Sequence, residues 1–228
     1  MTTTPLRIAV QGIGMMVRPI ARRLKEAGHQ VQVWNRTRAK AEPLAAFGIT
    51  VHASPTEAVQ NADMVISLLE NGPVVGHVLF ESGAAKAMRK GALFIDMASI
   101  QPREARDHAA RLGEMGLAHL DAPVSGGTVG AENGTLAILV GGRPEDFAQA
   151  QPVFAACGRA THVGPHGAGQ LTKLANQMIV GITIGAVAEA LLFAAKGGAD
   201  MAKVREAIQG GFADSRILQL HGQRMVER

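Results

Sequence analysis

The sequence predicts an α/β protein, a doubly wound parallel sheet followed by an all-helical segment. Three observations predict it. Short β-rich apolar runs alternate with helical patterns through the first 120 residues. The first of these runs ends in a glycine-bearing turn, VQGIGMM, directly ahead of a helix-like segment. After Gly167 the pattern changes to long helices alone.

In chain order, LRIAV, VQVW, MVISLL and ALFIDM each precede a polar or Gly/Pro-bearing turn and a helical pattern. Such alternation implies βαβ units with right-handed crossovers, and a ligand site at the C-terminal ends of the strands. A second pattern starts near LAHLDAPVSGG, where a strand ends in a glycine-rich turn, and continues through TLAILVGG to a helix opening at Pro144. Helices are expected at about 168–196, 200–210 and 214 to the chain end. The boundary is placed near residue 164, giving a nucleotide-binding domain over 1–164 and a helical substrate and dimerisation domain over 165–228. Internal repeats and low-complexity tracts are not evident.

A chain of 228 residues with 47% hydrophobic residues can bury a full core, which excludes a disordered class. One cysteine, Cys157, excludes an intrachain disulfide framework, and without a basic-then-apolar leader a cytoplasmic location is expected. The net charge of +4 could suggest nucleic acid, but its distribution does not. Residues 1–60 carry eight Lys or Arg against three Asp or Glu, and the remainder carries fifteen against sixteen. That N-terminal part has aromatics only at Trp34 and Phe47, so a polyphosphate ligand fits better than a stacked nucleic acid. The stretch 174–195 has the length of a membrane span and a single charge, Glu189. Asn176, Gln177 and Glu189 would be costly in lipid, so a helix buried in protein is expected, with no membrane partner. Gly181, Gly185 and the neighbouring alanines allow close approach of a second helix, so a homo-oligomer through the C-terminal helices is expected.

Gly12 and Gly14 follow the first strand and precede a helix through Ile20, Ala21 and Leu24, where a pyrophosphate meets backbone N–H groups. The third glycine of this Rossmann-type turn is replaced by Val17. That glycine serves helix–strand packing, so binding through the donors of Gly12 to Gly14 should survive. About twenty residues on, where an acidic residue would grip the ribose 2′-hydroxyl of NAD, the second strand ends in Asn35, Arg36, Thr37 and Arg38. A planar guanidinium suits a 2′-phosphate, so NADP is expected ahead of NAD.

Lys173, Asn176 and Gln177 stand at i, i+3 and i+4 and share one face of a helix whose other residues are almost all apolar. A buried lysine and two amides need partners, and a bound carboxylate or carbonyl would supply them. Lys173 is therefore the candidate general acid. Ser125, Gly126 and Gly127 offer a hydroxyl and approachable N–H groups for a carboxylate. Asp121 reads as structural, His162 and His166 as loop residues, and no His/Cys/Asp/Glu spacing suggests a metal.

GIGMM, NRT, DMASIQP, DAPVSGG, GAGQLTKLANQ and AIQGG together resemble the 3-hydroxyisobutyrate dehydrogenase family of β-hydroxyacid dehydrogenases. KLANQMIVG and AEALLFAAKGGAD look most like its tartronate semialdehyde reductase branch, to which Asn176 beside Gln177 also belongs. The resemblance implies a Rossmann domain, a helical domain and NAD(P)-linked oxidation and reduction of short β-hydroxyacids. In the family the lysine matching Lys173 is the catalytic acid, the motif matching Ser125, Gly126 and Gly127 grips the substrate carboxylate, and Ser99 lies at the nicotinamide side. Cofactor contacts are implied at Gly12, Ile13, Gly14, Met15, Met16, Asn35, Arg36, Thr37, Leu68 and Leu69. The family's leucine-proline after the fourth strand is Leu69 and Glu70 here. Relatives continue beyond MVER through further helices, so the helical domain is expected to be incomplete, a C-terminal truncation. The expected activity is NADPH-dependent reduction of a small semialdehyde acid, foremost tartronate semialdehyde to glycerate. Succinic semialdehyde, glyoxylate and 3-hydroxyisobutyrate are neighbouring substrates. The alternative from another class is a non-catalytic NADP-binding module.

Overall fold

The computed structural model describes residues 4–227; Arg228, the last residue of the helix expected from 214 onward, lies outside them. The chain divides into two compact units, the first running to Lys173 and the second from Leu174.

In the first unit, β1 (Arg7–Gln11), α1 (Val17–Glu26), β2 (Gln30–Trp34), β3 (Thr50–Val51), α2 (Pro55–Val59) and β4 (Met64–Ser67) come first. There follow α3 (Gly72–Gly76), α4 (Ala84–Ala87), β5 (Leu93–Asp96), α5 (Pro102–Glu114), β6 (Ala118–Asp121) and β7 (Val124–Ser125). α6 (Gly127–Asn133), β8 (Leu136–Gly142), α7 (Pro144–Gln149), α8 (Gln151–Cys157) and β9 (Gly158–Gly164) complete the sheet unit, and α9 (Ala168–Lys196) leads out of it.

The strands form one sheet in the order β3-β2-β1-β4-β5-β6-β8-β7, with β9 on β8. The six strands from β3 to β6 are parallel, as the alternation predicts. β8 then runs antiparallel to β6, because the chain returns through the tight β7 and α6 segment without a full crossover. The strand order reverses between β1 and β4, which opens a crevice at their C-terminal ends. Apolar residues fill both faces of the sheet. Ile8, Val10, Ile66 and Ile95 pack with α1 on one side, and Ala9, Val65 and Phe94 pack with Val75, Leu79 and Leu112 on the other. α1 buries Val17, Ile20, Ala21 and Leu24, a single stripe at helical spacing. Val17 is 1% exposed, so the replacement of glycine puts a valine into the core.

The second unit holds the rest of α9, α10 (Met201–Ile208), a π-turn over Leu218–Gly222 and α11 (Gln223–Val226). Asp200 caps α10 by accepting from the N–H groups of Ala202 and Lys203. Its small core is Val187, Leu191 and Leu218 with Met201, Val204 and Ile208 around them. The expectation that residues 174–195 are buried is corrected. Met178 is 66% exposed, Ile182 70% and Phe193 82%. The helix is apolar on every side, whereas the short helices of its own unit cover only the stripe through Val187 and Leu191. By length and composition it could cross a membrane, and 11% of its most apolar window is buried.

Candidate active site

The glycine turn is shaped by its own hydrogen bonds. Gly12 donates to the Trp34 carbonyl at 3.0 Å, and the Ile13 N–H donates to the Asn35 side-chain oxygen at 2.8 Å. Asn35 in turn donates from its amide nitrogen to the Thr37 carbonyl at 2.7 Å. The expected donors therefore shift by two residues. The N–H groups of Gly12 and Ile13 are spent on the end of β2 and on Asn35 beyond it, while among the described residues those of Gly14, Met15 and Met16 find no acceptor. A pyrophosphate at the start of α1 fits these open donors. Gly12 contributes its missing side chain instead. It sits at φ +88°, and a Cβ there would lie 2.6 Å from a Leu69 methyl and 3.0 Å from the Leu68 carbonyl oxygen. Around Gly14 nothing lies within 4 Å of such a Cβ, which leaves room for a ligand backbone.

Two clefts flank the turn. One of about 490 Å³ is lined by Trp34, Asn35, Arg36, Leu69, Glu70 and His77, and one of about 740 Å³ by Ile13, Gly14, Met15, Arg18, Arg22 and Lys40. Arg38 is engaged by Glu42 at 3.1 Å. Arg36 is exposed and joins no ion pair among the described residues, so its fork is open to a phosphate. Thr37 opens the 3₁₀ turn at Arg38–Lys40 without a side-chain cap. Leu68 and Leu69 are half-buried beyond β4, and Glu70 is exposed at the same cleft.

Lys173 lies in the second turn of α9, and the start of that helix is tied to two strand ends. The Asp121 carboxylate, at the end of β6, accepts from the N–H of Gly167 at 2.7 Å and of Gln170 at 3.0 Å. The Gln170 side chain accepts from the Ile100 N–H at 3.0 Å and donates to the Ala98 carbonyl at 2.8 Å. The two backbone groups gripped by Gln170 bracket Ser99, which is exposed. Lys173 is half-buried, and desolvation lowers its ammonium below the ordinary lysine value of 10.5. Beside Asp121, burial lifts the Asp96 carboxyl to about 8 against the opposing Ala98 N–H, and burial likewise raises Asp121 against the two N–H groups it accepts.

Four residues after Asp121, Ser125 is half-buried on β7 and pairs with Ala137 of β8. Gly126 at φ +137° and Gly127 at φ +64° turn the chain into α6 and are exposed. This is a conformation that side chains rarely adopt, and it leaves the backbone approachable from solvent. Asn176 is half-buried and Gln177 exposed, and the Asn176 amide donates to the Gln177 side-chain oxygen at 2.9 Å. The expected convergence of three polar groups on a buried face is corrected accordingly. Asn176 is paired with Gln177 by that one bond, on a helix face that is open.

Sequence reasoning passed over Gln170 and the full role of Asp121. The signal was present, since Gln170 stands three residues before Lys173 on one helix face. It also read His162 and His166 as loop residues. His162 is instead on β9 and meets the Gly142 carbonyl at 2.8 Å, whereas His166 is in the turn after β9, as expected, and lies with His119 and Asp121 in a cluster whose ligand atoms fall within 4.8 Å of one another. Sequence spacing could not show that these three side chains meet, because it does not tell which strands are neighbours.

A Rossmann crevice with a glycine turn, an open arginine and a half-buried lysine defines a nicotinamide-dependent oxidoreductase. Comparison with known proteins agrees. Residues 7–165 match the family model described as the NAD binding domain of 6-phosphogluconate dehydrogenase, and residues 167–228 the one described as the NAD-binding of NADP-dependent 3-hydroxyisobutyrate dehydrogenase. The chain is 43% identical over 225 residues to 2-hydroxy-3-oxopropionate reductase of Escherichia coli, covering 98% of this chain and 77% of that protein. It is 38% identical over 221 residues to 3-hydroxyisobutyrate dehydrogenase of Pseudomonas aeruginosa, covering 94% and 72%. Among solved structures, 3-hydroxyisobutyrate dehydrogenase of Mycobacterium tuberculosis with L-serine superposes at a TM-score of 0.87, with 36% identity over 93% of this chain and 72% of that one. The chain belongs to the 3-hydroxyisobutyrate dehydrogenase family of NAD(P)-dependent β-hydroxyacid dehydrogenases.

Proposed function

We propose that this protein reduces a small semialdehyde acid to its β-hydroxyacid with NADPH, with tartronate semialdehyde to glycerate as the leading pair. One observation carries the reading. A lysine with a lowered affinity for its proton stands on a helix whose start is hydrogen-bonded to the strand ends that also carry Ser99 and lead to Ser125. NADPH, when bound, supplies the hydride to the aldehyde carbon.

The chain's own residues do the rest. Gly14, Met15 and Met16 offer N–H groups to the pyrophosphate, beside the turn kept tight by Gly12, Ile13 and Asn35. Arg36 takes the 2′-phosphate, with Thr37 next to it. Leu68 and Leu69 wall the nucleotide, and Ser99 faces the nicotinamide. Ser125 with the N–H groups of Gly126 and Gly127 binds the substrate carboxylate, which fixes the aldehyde. Lys173 Nζ gives its proton to the aldehyde oxygen as negative charge develops there, and in the oxidative direction the neutral amine takes that proton back. Asn176 and Gln177 orient the substrate hydroxyl and the lysine. Residues 1–164 form the cofactor domain and 165–228 the substrate and dimerisation domain. The open face of α9 suits a second copy of this chain, and the setting is cytoplasmic.

The test is the initial rate of NADPH oxidation with tartronate semialdehyde, beside NADH and beside Lys173→Ala. Turnover preferring NADPH and falling by about 10²–10⁴-fold in the variant supports the reading. Tight NADPH binding with no reduction of tartronate semialdehyde, succinic semialdehyde or glyoxylate, and no oxidation of 3-hydroxyisobutyrate with NADP⁺, would refute it in favour of a binding module.

A further inference from the structure

Behind the sheet end that carries Asp121 is a cluster that hydride transfer does not use. His119 is two residues before Asp121 on β6, so both side chains project from the same face of the strand. His166 comes from the turn between β9 and α9, and its ring centroid lies 5.5 Å from that of His119. His119 is 2% exposed, stacks on Phe94 at 6.0 Å, and has neither ring nitrogen hydrogen-bonded. The Nδ1 atom of His166 is buried and unpaired as well. Three buried imidazole nitrogens without a partner, on two rings that each bring a nitrogen within 4.8 Å of a carboxylate oxygen, are not explained by packing.

We propose that His119, Asp121 and His166 bind a divalent transition-metal ion of the zinc type, which staples β6 to the start of α9. Two imidazoles and one carboxylate form a ligand set that such ions prefer, with a fourth position left for water. The outer shell is in place, since the Asp121 oxygens already accept from Gly167 and Gln170 and are held in orientation. An entry path exists too. A cleft of about 460 Å³ is lined by His119, His166, Arg143, Asp146 and Gly116. The ligand atoms lie within 4.8 Å of one another, and tetrahedral bonds of about 2.0–2.2 Å require roughly 3.3 Å. Ion binding would therefore draw the three side chains together, with His166, half-buried on its turn, the member placed to move.

The experiment uses the full chain after chelator treatment. Zn²⁺ is titrated by calorimetry and Co²⁺ by its visible d–d bands, in the native sequence, His166→Ala and His119→Phe. The expected result is one ion per chain, tetrahedral Co²⁺ bands, and a Tm that rises with Zn²⁺. Each variant should weaken binding by more than about 100-fold, beyond the loss of an outer-shell partner. His166→Ala alters a turn residue and, with its circular dichroism unchanged, keeps the test valid should His119→Phe fail to fold. Absence of stoichiometric binding, or binding that survives His166→Ala, overturns the proposal. NADPH binding is read in parallel and does not enter either outcome.

Discussion

The Asp121 carboxylate accepts the backbone N–H of Gln170 at 3.0 Å, and through that bond the helix bearing Lys173 is fixed to the end of β6. Gln170 passes the constraint on, since its amide clamps Ile100 and Ala98 on either side of Ser99. Removing that amide in Gln170→Ala leaves a buried N–H and a buried carbonyl unpaired, at a cost of about 2–4 kcal/mol. The free energy of unfolding extrapolated from urea titration should fall by that amount, and kcat should fall more than KM rises, because Lys173 loses its registration against the substrate. A stability change under about 1 kcal/mol would mean that water replaces both bonds.

The two glycines of the nucleotide turn should separate stability from binding. Gly12→Ala forces a Cβ at φ +88° to within 2.6 Å of Leu69, so folding stability and cofactor binding should both fall. The backbone conformation alone costs about 1–2 kcal/mol. Gly14→Ala meets nothing within 4 Å, so its stability should stay within about 0.5 kcal/mol of the parent while NADPH binding weakens. Thermal melts and fluorescence titration of NADPH read the two effects. Equal losses of stability in both variants would contradict the assignment of Gly14 to the ligand side.

Arg36 is the test of cofactor choice. Its guanidinium is exposed while that of Arg38 is held by Glu42. Losing a hydrogen-bonded charge contact is worth about 1.5–3 kcal/mol, so Arg36→Ala should raise the KM for NADPH by about 10–100-fold and leave that for NADH nearly unchanged. Arg38→Ala should change the ratio little. The reverse ranking of the two variants would move the phosphate site to Arg38.

The parallel sheet, the place of the glycine turn and the span of α9 were legible because each rests on local pattern: alternation, strand–turn–helix order, and a long apolar run. Asn35 illustrates what was not. Its position is visible from spacing, but its bond to Ile13 depends on two strand ends meeting, which no local pattern encodes. The exposure of α9 escaped for a related reason. An apolar helix calls for cover, yet composition does not say whether the same unit supplies it, and here Val187 and Leu191 alone find it. His119 and His166, 47 residues apart in the chain, became neighbours only through the β6–β8–β9 arrangement.

The pH dependence of the two reaction directions follows from Lys173. Desolvation lowers its proton affinity, so its folded-state pKa lies below 10.5. Reduction needs the ammonium, and its kcat/KM should fall as pH rises through that lowered value. Oxidation needs the neutral amine, and its rate should rise through the same pH. The stability contribution has a matching sign, since burying the ammonium is unfavourable at low pH and that cost is relieved as pH rises from the folded toward the unfolded pKa. Lys173→Met should remove both limbs and about 10²–10⁴-fold of the rate. Lys173→Arg keeps a permanent charge, so the oxidative limb should vanish while some reduction remains. Initial rates in both directions across the alkaline range check all of this, and parallel limbs that persist in Lys173→Met would assign the proton to another group.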